Sequence, residues 1–153
     1  MLSPKVLEAL NQQINEEFYS SYLYLAMAAW LDDANLEGCA HWMRMQAQEE
    51  HLHALKIFDY VAERGGRVVL KAIAEPQKEW KSVLDIFEAS LEHEQHISKC
   101  IADLADLAIK EKDHPTNNLM QWFVNEQVEE EATVDAIVNK MKMLGDQGPG
   151  LFM

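Results

Sequence analysis

The sequence predicts an all-α fold, an antiparallel-paired four-helix bundle with a long crossover between helices 2 and 3. Three observations predict it. Apolar residues recur at steps of three and four through four long segments, the spacing of one helical face. Short polar breaks join the first segment to the second and the third to the fourth, which makes each pair an antiparallel hairpin. The break at about residues 65–81 is long and carries no helical stripe.

The first helix is expected over about 4–32. Ser3 can cap it and Pro4 suits its first turn. Its inward stripe reads Leu7, Leu10, Ile14, Glu17, Ser21, Tyr24, Ala28 and Leu31. Asp32, Asp33, Ala34 and Asn35 break the pattern, with Asn35 expected to cap the next helix. The second helix is expected over about 36–64, with the stripe Leu36, Cys39, Met43, Gln46, Glu50, His53, Ile57 and Tyr60. Arg64 followed by Gly65 and Gly66 marks its end. A helix of about 28 residues is about 42 Å long, and roughly sixteen extended residues can span that distance. The segment 65–81 can therefore run the length of the bundle and make helices 2 and 3 parallel.

Ser82 can cap the third helix, expected over about 82–112, with Asp85 in the place of a capping-box Glu. Its stripe reads Leu84, Phe87, Leu91, Glu94, Ser98, Ile101, Ala105 and Ala108, and residues 110–113 are expected to end it in solvent. The fourth, about 115–145, opens at His114 and Pro115 and carries Thr116, Met120, Phe123, Gln127, Glu130, Val134, Ile137, Met141 and Leu144. An apolar tail, 148–153, follows Gly145. The 153 residues are expected to form a single domain.

Composition excludes several function classes. Acidic residues number 26 against 13 basic, a net charge of −13, so nucleic acid, which needs basic patches, is not an expected partner. The same charge attracts cations. The two cysteines form no CxxC, which disfavours a thiolate metal site and fits a reducing compartment. The first residues lack a signal peptide, and the longest apolar run, Tyr22–Leu31, is too short to span a bilayer. A cytoplasmic location without membrane contact is the expectation.

Each stripe is apolar at both ends and polar near its middle. Glu17 interrupts helix 1, Glu50 and His53 helix 2, Glu94 helix 3, and Gln127 and Glu130 helix 4. A stripe rotated by one position would turn any single acid to solvent. It does not account for all four, because each acid keeps apolar neighbours above and below it. Burying an unpaired carboxylate costs several kcal/mol, and a proton-sharing network lacks cationic partners on these stripes. Bound cations resolve the repulsion directly. Glu50 and His53 form a Glu-x-x-His pair on one helical face. Two helices that each give a Glu and two that give i, i+3 pairs are the donor pattern of di-metal bundles. Carboxylates with one imidazole suit iron or manganese better than structural zinc. His41, His93, His96 and His114 fall off the inward stripes and are expected at the surface or an interface.

The stretches Asn15–Leu25, Gln46–Ala54, Glu92–Glu94 and Trp122–Ala132 resemble prokaryotic non-haem ferritins, members of the ferritin-like di-iron family. The resemblance covers nearly the whole chain. It implies an iron-storage protein with ferroxidase activity, which oxidises Fe²⁺ with O₂ (or H₂O₂) and stores Fe³⁺ as mineral in a homo-oligomeric cage of 24 subunits. By the resemblance, Glu17, Glu50 and His53 hold one iron, and Glu50 bridges to a second held by Glu94 and Glu130. Gln127 is implied as a hydrogen-bonding or weak ligand, and Tyr24 as a catalytic residue in electron transfer beside Glu50 and His53. Glu49, Glu126 and Glu129 match a third iron site. Haem-containing bacterioferritins carry a second Glu-x-x-His on helix 4. Here it is Gln127-x-x-Glu130, so no haem is expected. His51 stands where that branch has its haem-ligand methionine and turns about 100° from Glu50, which leaves it a surface or interface histidine or a ligand to haem or metal at a subunit contact. Rubrerythrin-type peroxidases need a CxxC pair that is missing. Ferritins of this type continue into a short fifth helix, whereas this sequence stops at Leu151, Phe152 and Met153. Two other functions fit the same residues: a di-iron oxidase or peroxidase acting on an organic or peroxide substrate, and a structural or partner-binding bundle.

Overall fold

The computed structural model describes residues 1–145. The expected apolar tail, 148–153, lies outside the described residues. Four α-helices make up the ordered framework: α1 (Pro4–Asp33), α2 (Glu37–Glu63), α3 (Val83–Lys110) and α4 (His114–Leu144). No strand occurs among the described residues, and no helix is long and apolar enough to cross a membrane.

Side-chain caps start three of the helices. The Ser3 hydroxyl accepts from the Val6 amide at 3.2 Å, and the Ser82 hydroxyl from the Asp85 amide at 3.0 Å. Asp85 reaches back to the Lys81 amide at 2.9 Å, one residue outside the position a capping box uses. Asp113 caps α4, accepting from the Thr116 amide at 3.1 Å. Residue 113 is therefore no solvated end of α3. It forms the start of α4.

α1, α2 and α3 end in one way. Asn35, Gly65 and Lys112 take positive φ angles of 61°, 75° and 55°. At each, the amide of that residue and of the next turn back onto the final turn of the helix. Asn35 and Leu36 donate to Asp32 and Leu31, Gly65 and Gly66 to Ala62 and Val61, and Lys112 and Asp113 to Ile109 and Ala108. This is the Schellman arrangement. Asn35 was expected to cap α2. It instead closes α1, because Asn tolerates the left-handed conformation better than most residues. Leu36 precedes α2 without a side-chain cap.

α1 packs along α2 and α3 along α4, and α1 also lies against α3. The crossover, residues 66–81, is extended and pinned to α1 by amides. Asn11, buried, donates to the Arg67 carbonyl at 3.1 Å and accepts from the Val69 amide at 3.2 Å. Asn15 donates to the carbonyls of Lys71 and Ala72, and Lys71 reaches Gln12 at 3.1 Å. Backbone groups that no sheet or helix could satisfy thus find partners on a neighbouring helix.

The core divides into two apolar clusters. One joins the first half of α1 to the second half of α2, the second half of α3 and the first half of α4, with Leu10, Ile14, Ile57, Ile97, Ile101 and Phe123 buried in it. The other holds the opposite halves, including Met27, Leu31, Met43, Ile86, Phe87 and Val134. This pairing of halves makes α2 and α3 parallel. Between the clusters lies a layer of buried polar residues.

Arg64, at the end of α2, donates to Asp113 at 2.9 Å, to the Tyr60 hydroxyl, and to Thr116 at 3.4 Å. It ties the end of one hairpin to the start of α4. Replacing Asp113 by Ala removes both this pair and the cap. It should cost about 2 kcal/mol in urea denaturation, and the Arg64→Ala, Asp113→Ala double variant should lose less than the sum of the two single variants.

Candidate metal centre

The polar layer is built where the four stripes cross. Glu17, Glu50 and Glu94 are fully buried, His53 is 6% exposed and Glu130 9%. A rotated stripe is thereby excluded for every helix. The side chains gather as two groups of three. Donor atoms of Glu17, Glu50 and His53 lie within 4.8 Å of one another, and so do those of Glu50, Glu94 and Glu130. Glu50 belongs to both.

Neighbouring donors satisfy some of the carboxylate oxygens. Gln13 donates to Glu17 Oε1 at 3.1 Å, and the Tyr24 hydroxyl to Glu94 Oε1 at 2.6 Å. Gln127 donates to the Glu94 carbonyl at 3.1 Å and to Glu94 Oε2 at 3.2 Å, and it also reaches Ser98. Gln46 donates to Glu130 Oε2. Other atoms stay without a hydrogen-bond partner although buried: Glu17 Oε2, both oxygens of Glu50, and His53 Nδ1. They belong to the residues of the first donor group, Glu17, Glu50 and His53. A buried polar atom without a partner costs about 1–3 kcal/mol, so this donor set fits a cation pair and fits an apolar core poorly.

His53 presents Nδ1 to the centre, 3.4 Å from Glu50 Oε2, while Nε2 lies 3.9 Å from Glu126. The edges of its ring meet Trp122 and Phe123 at centroid distances of 5.6 and 5.7 Å. These contacts hold the plane of the ring.

Burial holds the four carboxyls above their ordinary range. The charge of Glu50 adds to it at Glu17, and that of Glu94 adds to it at Glu50 and Glu130. Glu130 is pushed up to about 8. Burial and the Glu94 charge also keep the Tyr24 phenol above its usual range, so it remains a hydrogen-bond donor.

A scan against protein families matches the ferritin-like domain over residues 7–144. The chain belongs to the ferritin-like family. It is 42% identical to the bacterial non-heme ferritin of Campylobacter jejuni, covering 100% of this chain and 92% of that protein. It is 44% identical to that of Bacteroides fragilis over 97% of this chain and 93% of the relative. Among solved structures, an open pore ferritin from the hyperthermophilic archaeon Archaeoglobus fulgidus superposes with a TM-score of 0.96 at 51% identity, covering 98% of this chain and 92% of that one.

Other ferritin-like positions fall elsewhere. Glu49, Glu126 and Glu129 line a cleft of about 670 Å³ between α2 and α4, together with Glu130, Trp42 and Met45. Among the described residues, their carboxylates do not converge into a close group as the two inner sets do. His51 is exposed and points away from the centre, its ring 5.5 Å from that of Phe18. His93, expected at the surface or an interface, is half-buried between α1 and α3. Its Nε2 lies 2.7 Å from Ser20 Oγ, its ring 6.0 Å from that of Tyr24, and burial, with His96 nearby, pushes it down to about 4. Sequence reasoning gave no role to Gln13 or to Trp122, and read Gln46 only as a stripe position. Gln13 and Gln46 each stand four residues before an inward Glu, a spacing that signals an amide on the same face.

Glu130 has a pKa of about 8 in the fold against an ordinary 4.5. Stability from such a raised group is full below pH about 4.5 and is lost as pH rises to about 8. Without metal, the thermal midpoint should fall across that window, and Glu130→Gln should flatten the fall. Glu50→Gln should raise the metal-free midpoint by about 3 °C, roughly 1 kcal/mol for a chain of this size. Scanning calorimetry in chelator checks both.

Proposed function

We propose that this chain is the subunit of an iron-storage shell that binds two Fe²⁺ as substrate, oxidises them with O₂ (or H₂O₂) and passes Fe³⁺ to the shell interior. The observation that carries this reading is the pair of donor groups sharing Glu50, whose residues keep four buried polar atoms without hydrogen-bond partners. Glu17 and His53 would hold one ion, Glu94 and Glu130 the other, and Glu50 both. Each Fe²⁺ gives up one electron. Two of them reduce one O₂, which takes up two protons to become H₂O₂. Oxygen donors favour the more highly charged Fe³⁺, so the carboxylates drive the oxidation forward. Tyr24, hydrogen-bonded to Glu94, orients that carboxylate.

Glu130 stands in the second donor group and also lines the α2–α4 cleft. We assign that cleft as the exit for Fe³⁺, with Glu49, Glu126 and Glu129 as the next stopping point. The Archaeoglobus fulgidus relatives are an open pore ferritin and an engineered closed form of it. A homo-oligomeric cage of 24 subunits in the cytoplasm follows for this chain by resemblance, with no haem. The apolar wall of the cleft, with Trp42, Met45 and Phe87, favours the rival reading of an oxidase with an organic substrate.

Aerobic addition of Fe²⁺ to metal-free protein distinguishes the readings. Ferric absorbance should grow, and iron far above two per chain should elute with a large particle. Glu50→Ala should slow the initial oxidation by about tenfold or more, and Tyr24→Phe should slow it while leaving Fe²⁺ binding intact. Retention near two irons per chain would sink storage in favour of the oxidase. Oxidation indifferent to Glu50 would leave a structural bundle.

A further inference from the structure

A second set of donors lies on the α1–α3 face, away from the α2–α4 cleft and sharing no residue with the inner centre. His96 and Cys100 are one turn apart on α3, and Glu16 reaches them from α1. His96 Nε2 is 3.4 Å from Glu16 Oε2 and 3.6 Å from Cys100 Sγ, and the donor atoms of all three lie within 4.8 Å of one another.

The two spacings from the imidazole nitrogen match two edges of a metal tetrahedron. With bonds of about 2.0–2.1 Å to nitrogen and oxygen and about 2.3 Å to sulfur, tetrahedral angles separate N from O by about 3.3 Å and N from S by about 3.6 Å. Hydrogen bonding alone accounts for the geometry less well. One proton on Nε2 can be given to Glu16, or the bare nitrogen can accept from the thiol, but a single nitrogen cannot do both. A cation between the three satisfies all of them. Gln12 holds the other Glu16 oxygen at 3.5 Å, and the nearby Lys99 is turned to Asp103 at 2.9 Å. The Glu16 and His96 side chains are 24% and 53% exposed, so an ion reaches them from solvent.

We propose that Glu16, His96 and Cys100 form a binding site for a divalent ion of the zinc class, with water as the fourth ligand. One thiolate, one imidazole and one carboxylate select zinc-like ions over harder ions that prefer oxygen donors. On binding, Cys100 releases its thiol proton to solvent and its sulfur bonds to the metal, without change of oxidation state. Burial, joined by the charges of Glu16 and Asp103, pushes this thiol up to about 11. The metal must therefore displace that proton, and the same negative surroundings attract the ion. Bound there, it would clamp α1 to α3 beside Glu17 and Glu94.

Co²⁺ is the probe. Titrating metal-free protein with Co²⁺ should produce a sulfur-to-cobalt charge-transfer band and strong tetrahedral ligand-field bands, at one ion per chain and displaceable by Zn²⁺. The inner centre has no sulfur and cannot give the first signal. Cys100→Ser should abolish it, and His96→Ala should weaken the site's affinity by about tenfold or more, with helical content confirming that both variants fold. No sulfur band at saturation, a band that survives Cys100→Ser, or an unchanged affinity in His96→Ala would each overturn the assignment.

Discussion

Mutual repulsion among four carboxylates buried at one level of a helical core is the constraint on which the rest of this molecule depends. Each unpaired buried charge costs several kcal/mol, while a whole domain is stable by about 5–15 kcal/mol. Four bare charges could consume all of that. The fold responds in three ways. Apolar clusters on both sides of the layer hold the helices regardless of its state. Gln13, Gln46, Gln127 and Tyr24 each take a carboxylate oxygen. Raised pKa values let protons stand in for cations when none are bound. What remains is a set of partnerless atoms whose natural complement is positive charge.

Donor hardness divides the chemistry of the bundle by depth. Inside, oxygen predominates and the single imidazole packs against Trp122 and Phe123. On the α1–α3 face, a thiol and an imidazole meet one carboxylate in reach of solvent. On the α2–α4 face, Glu49, Glu126 and Glu129 are spread along a cleft. Close convergence suits tight coordination, and a dispersed acidic wall suits ions in transit.

Much of this was legible in the sequence because helices translate spacing into direction. A polar residue with apolar stripe members above and below it shares their direction, and Glu17, Glu50, His53, Glu94, Gln127 and Glu130 stand out together that way. Other features depend on distances between helices, which no single stripe records. Ile97 and Leu104 are buried although the strict stripe omits them, since a helix packed on two neighbours buries a face wider than one seam. Asn11 and Asn15 looked like ordinary polar positions, and their role exists only because the crossover passes within reach. Asn35 was misread because Asn serves both as an N-cap and as a left-handed terminator. His93 was placed at the surface or an interface because being off the main stripe does not prevent burial against a second helix.

The sharing of Glu50 has a mechanical corollary. Glu17, Glu50 and His53 all belong to the α1–α2 hairpin, whereas the second group adds Glu94 and Glu130 from the α3–α4 hairpin. An ion in the first group fastens one hairpin to itself. An ion in the second is a rivet between the two hairpins, which are otherwise joined covalently only through the crossover. Since a ligand stabilises whatever state assembles its site, filling the first position tightens a half, and filling the second locks the halves together.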